Sequence, residues 1–520
     1  MRLLSIKTLQ LEFFLSESAT PPFAILSHTW GADELTLQDL ALPHETLASR
    51  RGWQKITSFR DAVLTHAHLL AEPVEYIWVD TVCIDKTSSA ELTEAINSMF
   101  RWYRNSVSCF AVLEDVEARD GHVGADFEAS RWFTRGWTLQ ELLAPREVHF
   151  FDRNWVCIGS KETLASRVSS RTNIAEEIIL TGEWPFATVA QRMSWASGRE
   201  TTRSEDAAYC LLGIFDVNMP MLYGEGDKAF VRLQEEIIRD SEDESIFAFD
   251  ASGDEVQGVG AFATHPRQFS GSAYVEALRN ETGLFALTNK GLQITLAIIE
   301  RQEEPGQKVG LLSCCDARDA ATLIGFRVRP ESPTIAKYSR LPGPPIIVPA
   351  QDRVAFRAYM RSIYLPKRVQ TAMVDRRPPK VHVQGLRGGL RGLEFIRANS
   401  DSRHHSRTNS LTFQVPRTST DGKDGVNLAL LFRLAETKTT FCLILSVEPT
   451  EYLVEVGLVP GPDTLPEGTA LDTMIDELAE SAADVVDGEM AELMFGEEKV
   501  TVTVDPERAS LLIRVILRRY

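Results

Sequence analysis

The fold class predicted is an α/β domain with a mostly parallel sheet, a helical extension, and then a β-rich region that is a sandwich or open barrel. Three observations predict it. Up to about residue 160, apolar β-rich runs alternate with segments of helical spacing. From there to about 250 the apolar spacing is helical. Beyond about 280 it changes to period two. The implied divisions are 1–160, a helical extension at 161–250, a linker at 251–280 and a β-rich domain at 281–520.

"PFAILSHTWG" (22–31) is a short apolar run that ends in polar residues and Gly31. "WQKITSFRDAVLTHAHLL" (53–70) places apolar residues at helical spacing. "VEYIWVDTVCI" (74–84) reads as one strand. "SSAELTEAINSMFRWYRN" (88–105) is helical, with Leu92, Ile96, Met99 and Tyr103 on one face and Ser88 or Ser89 as cap. "VSCFAVLED" (107–115) and "EVHFFDR" (147–153) read as strands. In such sheets ligands sit outside the carboxyl ends of the strands. Three polar clusters follow predicted strands: "SHTWG", "DTVCIDK" and "RGWTLQE".

Between 160 and 250, "RSEDAAYCLLGIF" and "DKAFVRLQEEIIRDSED" carry apolar stripes. "ASGDEVQGVG" (251–260) is polar and Gly-rich, as a linker is. "LFALTNKGLQITLAII" alternates around an Asn-Lys-Gly turn, and further strand-like runs follow to the end. The basic stretch 376–392 reads as a loop, and 471–493 as an acidic helix.

The chain of 520 residues exceeds one ordinary core. A formal charge of −18 excludes a generic nucleic-acid binder. No apolar run is long enough to span a membrane. The interrupted start "MRLLSIKTLQLEFF" reads as folded protein rather than a signal peptide. The seven cysteines are scattered without a CxxC pair, so no zinc framework or disulfide scaffold is expected. A reducing, cytoplasmic setting follows.

P-loop, GxGxxG, HExxH and GxSxG motifs do not occur. "YGEGDKAF" (223–230) lacks phosphate-cradle spacing and reads as a turn before a helix. Cys83, paired with His28 or His149, could act as a nucleophile; the alternative is a buried core cysteine. Ser27 and His28 are adjacent on a strand and point to opposite faces, so they are not a catalytic pair. Asp80 and Asp85 flank a strand end, where they could bind a metal or ribose hydroxyls, or cap the next helix.

The segment "SRWFTRGWTLQELLAP" (130–145) sets Glu141 among aromatic and apolar side chains. A carboxylate there must be paired, neutralised or in use. In a short helix, Trp137 and Glu141 would share a face at i, i+4, an aromatic wall beside an acid suited to a sugar or nucleotide. The alternative is an ion pair with Arg131 or Arg135.

"AILSHTWG", the run from "YIWVDTVCIDK" to "CFAVLEDV", and "WFTRGWTLQELLAP", in this order, resemble the fungal heterokaryon-incompatibility (HET) domain. The likeness continues through 192–238. The resemblance implies nonself recognition and programmed cell death on fusion of unlike hyphae. The HET domain resembles, more distantly, the flavodoxin-like TIR domain. Some TIR domains cleave NAD⁺ with one glutamate in a W-x-x-x-E-[LI] segment. Trp137, Glu141 and Leu142 match that form, which implies Glu141 as the catalytic residue. It implies a nucleotide loop at Ser27, His28, Trp30 and Gly31, and a second one at Asp80, Cys83 and Asp85, with Trp137 as the wall. Gly31 would permit positive φ or close approach. The expected substrate is NAD⁺ or a related nucleotide, with no metal and no required cofactor; homo-oligomers or a partner incompatibility protein are the expected assemblies. The rival expectation is a non-enzymatic signalling module that works by homotypic or partner assembly.

Overall fold

The computed structural model describes residues 1–118, 123–252, 259–278, 285–300, 308–331, 336–349 and 359–367, with strand segments between 380 and 519. The chain packs as two units, Met1–Gln370 and Thr371–Tyr520.

The first unit opens with a seven-stranded sheet. Its strands are β1 (Arg2–Ser5), β2 (Leu11–Phe13), β3 (Phe23–His28), β4 (Tyr76–Trp78), β5 (Ser108–Val112), β6 (Val148–Phe151) and β7 (Cys157–Ser160). They lie in the order β2-β1-β4-β3-β5-β6-β7. β3, β4, β5 and β6 pair in parallel. The edges β1, β2 and β7 pair antiparallel, so the sheet is mixed rather than mostly parallel. β3 and β5 are buried throughout, because central strands of such a sheet are covered on both faces.

Two helices make the crossovers. α1 (Arg51–Thr65) joins β3 to β4 and buries Trp53, Ile56, Phe59 and Val63. α2 (Ser89–Asn105) joins β4 to β5 and buries Ile96, Met99, Phe100 and Tyr103. The Ser88 hydroxyl caps α2 by accepting the Glu91 amide at 3.3 Å. The run 74–84, expected as one strand, is two elements. The strand stops at Trp78, and Asp80–Cys83 forms one helical turn. Both pieces are buried, so burial made the whole run apolar and hid the boundary.

α3 (Thr138–Leu143) precedes β6, with every residue buried. The extension is helical as expected: α4 (Ala165–Thr172), α5 (Glu176–Thr181), α6 (Val189–Ala196) and α7 (Lys228–Asp240). The stretch expected as a linker holds buried Ala251, Val259, Ala261, Phe262 and Phe269 in the same core. An antiparallel sheet follows, with Gly291–Glu300 between Lys308–Leu311 and Met360–Leu365. Ala286–Thr288 pairs with Gly291–Glu300 across the expected Asn-Lys-Gly turn, and Gly291 takes φ +117°. Leu292, Ile294, Phe326 and Ile363 join the core that also holds β3 and α2.

The second unit is β-rich. Val426–Leu434 and Thr440–Glu448 form an antiparallel pair flanked by Leu393–Ala398 and Leu453–Pro460. Lys380–Gly385 pairs in parallel with Ser510–Arg519. The basic stretch expected as a loop therefore contains a strand. The expected acidic helix ends in the strand Met490–Phe495; its earlier residues lie outside the described ones. Among the described residues no helix is long and apolar enough to cross a membrane.

Candidate functional site

The four parallel strands run in the spatial order second, first, third, fourth. The chain leaves β3 toward β4 on one side and returns to β5 on the other. The reversal makes the carboxyl ends of β3 and β5 the expected ligand crevice of such a sheet. β3 ends in Ser27 and His28, whose side chains point to opposite faces of the strand.

On the α2 face, Ser27 donates its hydroxyl to Glu141 Oε2 at 2.5 Å. Trp132 donates its indole N–H to the same Ser27 oxygen at 2.8 Å. Ser27 and Trp132 are wholly buried, and Glu141 is 7% exposed. Tyr103, from α2, donates to the Leu26 carbonyl at 2.9 Å beside the carboxylate. Burial pushes the Glu141 carboxyl up to about 8, against the lowering effect of the Ser27 bond. It accepts from Ser27 and is also lowered by the Tyr103 hydroxyl, rather than pairing with Arg131 or Arg135; Arg135 acts on it only through space.

On the α1 face, His28 is buried and its Nε2 lacks a hydrogen-bond partner. That nitrogen is 3.8 Å from Glu34 Oε2 and 3.9 Å from Asp80 Oδ1. Burial pushes the imidazole down, with Lys55 acting in the same direction and Asp80 and Glu34 against it. Lys55 bridges Glu34 and Glu114, the latter just beyond β5. Asp80 Oδ2 accepts the Trp30 indole at 3.0 Å and Lys86 Nζ at 3.4 Å. Burial raises the Asp80 carboxyl, but Lys86, His28 and Trp30 outweigh it and hold it below its usual range. Lys86 Nζ sits 3.7 Å from the Trp30 ring centre, a cation–π contact on an indole that is 48% exposed.

The sequence-derived residues divide accordingly. Ser27, His28, Trp30, Asp80 and Glu141 gather around the end of β3. Gly31 is adjacent, and its amide donates to Glu34 Oε1 at 2.8 Å. It has no positive φ, and an added Cβ would meet only that carboxylate oxygen at 3.6 Å. The expected conformational need for glycine there is absent. Cys83 stays inside its helical turn, accepting the Val79 amide at 3.5 Å. Burial pushes its thiol up to about 12, which rules out a thiolate at neutral pH. Asp85 accepts the Thr87 amide at 3.0 Å and the Thr87 hydroxyl at 2.6 Å, a local turn before α2. Trp137 turns its indole to Asp206 at 3.4 Å and away from the Ser27–Glu141 pair. The tryptophan beside the Ser27–Glu141 pair is instead the buried Trp132, five residues earlier. Glu34, Lys55, Lys86 and Glu114 were also missed, since lone surface-type charges in loops and on a helix give no pattern.

α3 is fastened from the extension. Arg199 is 6% exposed and donates to the Arg135 carbonyl at 2.8 Å and to Thr138 Oγ1 at 2.9 Å. The Gly136 amide donates to the Glu200 carbonyl at 2.9 Å. The helix that carries Glu141 is thus held by residues that lie some sixty positions later.

Residues 23–127 match the family model described as heterokaryon incompatibility protein (HET). Over 233 residues the chain is 43% identical to the vegetative incompatibility protein HET-E-1 of Podospora anserina. The chain carries a HET domain. The aligned region is 44% of this chain and 17% of that relative. The matched HET segment contains Ser27, His28 and Asp80 and ends before Trp132 and Glu141. A solved structure, the lipid binding protein Nakanori, aligns with 27% of this chain and 70% of its own at 10% identity, with a TM-score of 0.20. That superposition carries no inference about the HET domain.

Proposed function

We propose that the chain serves in heterokaryon incompatibility, as a cytoplasmic nonself-recognition protein that triggers cell death, and that its HET domain cleaves NAD⁺ at the nicotinamide–ribose bond. The role follows the relative named as a vegetative incompatibility protein. The observation that carries the chemistry is Glu141: a buried carboxyl at the switch point of a parallel sheet, held by an uncharged donor rather than by a cation. The strand order agrees with the start of a flavodoxin-like order, which supports the TIR-like reading.

Breaking the glycosidic bond sends its electron pair to the cationic nicotinamide ring, which leaves neutral. Positive charge builds on the ribose, and water then adds and releases a proton. An ionised Glu141 would stabilise that charge and accept ribose hydroxyls. A carboxyl raised to about 8 is mostly neutral in the empty site. The cationic ring supplies the missing partner and favours the anion when it binds. Nicotinamide release by wild type and Glu141→Gln, measured by chromatography, tests this reading.

A second reading is favoured by one observation. Phe13, in edge strand β2, is 63% exposed and Leu15 is 91% exposed. Apolar side chains at an open sheet edge suit homotypic or partner assembly without catalysis. Wild-type death activity retained in Glu141→Gln would select it.

A further inference from the structure

We infer that Trp132 is the positioning residue of the site: its indole N–H turns the Ser27 hydroxyl onto Glu141 Oε2. The inference rests on the reading of Glu141 as the acting carboxylate.

The direction follows from valence. An indole nitrogen can only donate, so Ser27 Oγ is the acceptor from Trp132 at 2.8 Å. The one serine proton must then go elsewhere, and the ionised Glu141 carboxylate, which can only accept, has its Oε2 2.5 Å away. Ser27 and Trp132 are wholly buried and Glu141 nearly so. Ser27 is fixed in β3, opposite Ala111 of β5. The Trp132 ring meets Phe133 and Phe150 edge-on, at 5.0 and 5.6 Å between ring centres. The Trp132 carbonyl accepts the Thr138 hydroxyl at 2.5 Å, in the first turn of the helix that carries Glu141. One residue therefore holds that helix through its backbone and aims the serine through its side chain. In the loop Trp132–Ser27–Glu141–Thr138–Trp132, Glu141 is the one member that ionises; outside the loop Asp80 raises its carboxyl through space, while Arg135 and the Tyr103 hydroxyl lower it.

A donor on a buried carboxylate favours its ionised form. Removing the aim of that donor raises the pH at which Glu141 ionises. Letting water in would do the reverse, because hydration favours the charge. The sign separates positioning from simple loosening.

The test is the infrared titration of the Glu141 carboxyl band, isolated by subtracting Glu141→Gln, in the full-length wild type, Trp132→Phe and Ser27→Ala. The readout needs no turnover. Both variants are expected to titrate about one pH unit higher than wild type, a tenfold loss of anion at neutral pH. The pH profile of NAD⁺ cleavage is expected to shift by the same amount, with rates converging in alkali. A midpoint that stays or falls in folded variants overturns the inference. If Trp132→Phe does not fold, Ser27→Ala decides whether the donor matters, and Trp132→His, which restores a ring N–H, decides the role of the indole. A raised midpoint in proteins that never cleave NAD⁺ upholds the positioning and counts against the proposed reaction alone.

Discussion

At Glu141 the proposed acting group and the stability of the fold are opposed. Its carboxyl ionises near 4.5 in the unfolded chain and near 8 in the folded one. Between those values the folded state binds more protons, so this residue's contribution falls as pH rises through the window. Below about 4.5 it costs nothing, and above about 8 the full cost is present, on the order of a few kcal/mol. Glu141→Gln is expected to melt like wild type at the acid end and increasingly above it from pH 5 to 8. Paired melting curves across that range check this. A difference that does not change with pH would show that the carboxyl is not desolvated. The contrast between two glycines is a second residue-scale expectation. Gly31 has space for a methyl group, so Gly31→Ala should fold within about 1 kcal/mol of wild type. A Cβ at Gly213 would lie 2.1 Å from the Phe100 Cβ on α2. Gly213→Ala should lose about 2 kcal/mol or more by overpacking. Denaturant midpoints of the two variants check the pair.

At the scale of elements, α3 was legible and its surroundings were not. Its apolar positions and Glu141 stand in a contiguous segment, so burial of the carboxylate could be read from the sequence. Trp137 shared its face in an ideal helix, but α3 begins at Thr138 and leaves Trp137 at the cap, bound to Asp206. The partners that matter, Ser27 and Trp132, are 114 and 9 positions away, and no spacing rule joins them. The clamp from Arg199 has the same long-range character. Arg199→Ala leaves the Arg135 carbonyl and the Thr138 hydroxyl without this donor, at a cost of about 2–4 kcal/mol. Activity is expected to fall further than stability does, since α3 loses its anchor while Glu141 is intact. Nicotinamide release and melting temperature of the variant, compared with Glu141→Gln, separate the two losses. Full activity in a destabilised Arg199→Ala would remove the clamp from the site.

For the whole molecule, the alternation of elements predicted the α/β part, and the change of period predicted the β-rich part. Both describe local pattern, which a chain shows directly. The point of division is a matter of tertiary packing. Polar, Gly-rich composition at 251–260 suggested a linker. Buried Arg340 instead reaches back from the antiparallel sheet to the Phe247 and Phe249 carbonyls, at 2.9 and 2.8 Å. Ser313 likewise donates its amide to buried Glu244 at 2.7 Å. A fragment of residues 1–370 is therefore expected to unfold cooperatively, and one of 1–250 to expose Ile246, Phe247 and Phe249 and bind a hydrophobic dye. Calorimetry and dye binding on both fragments check it. A cooperative, dye-free 1–250 fragment would place the antiparallel sheet outside the fold of the HET region.

The most direct measurement is NAD⁺ consumption by pure full-length protein, in crowded or enforced-oligomer conditions, with Glu141→Gln alongside and both shown folded by melting. Wild type is expected to release nicotinamide, and the variant to be slower by about 10²–10³. Equal rates in wild type and variant, or no nicotinamide from wild type under any of these conditions while it still kills fused cells, would contradict a catalytic Glu141.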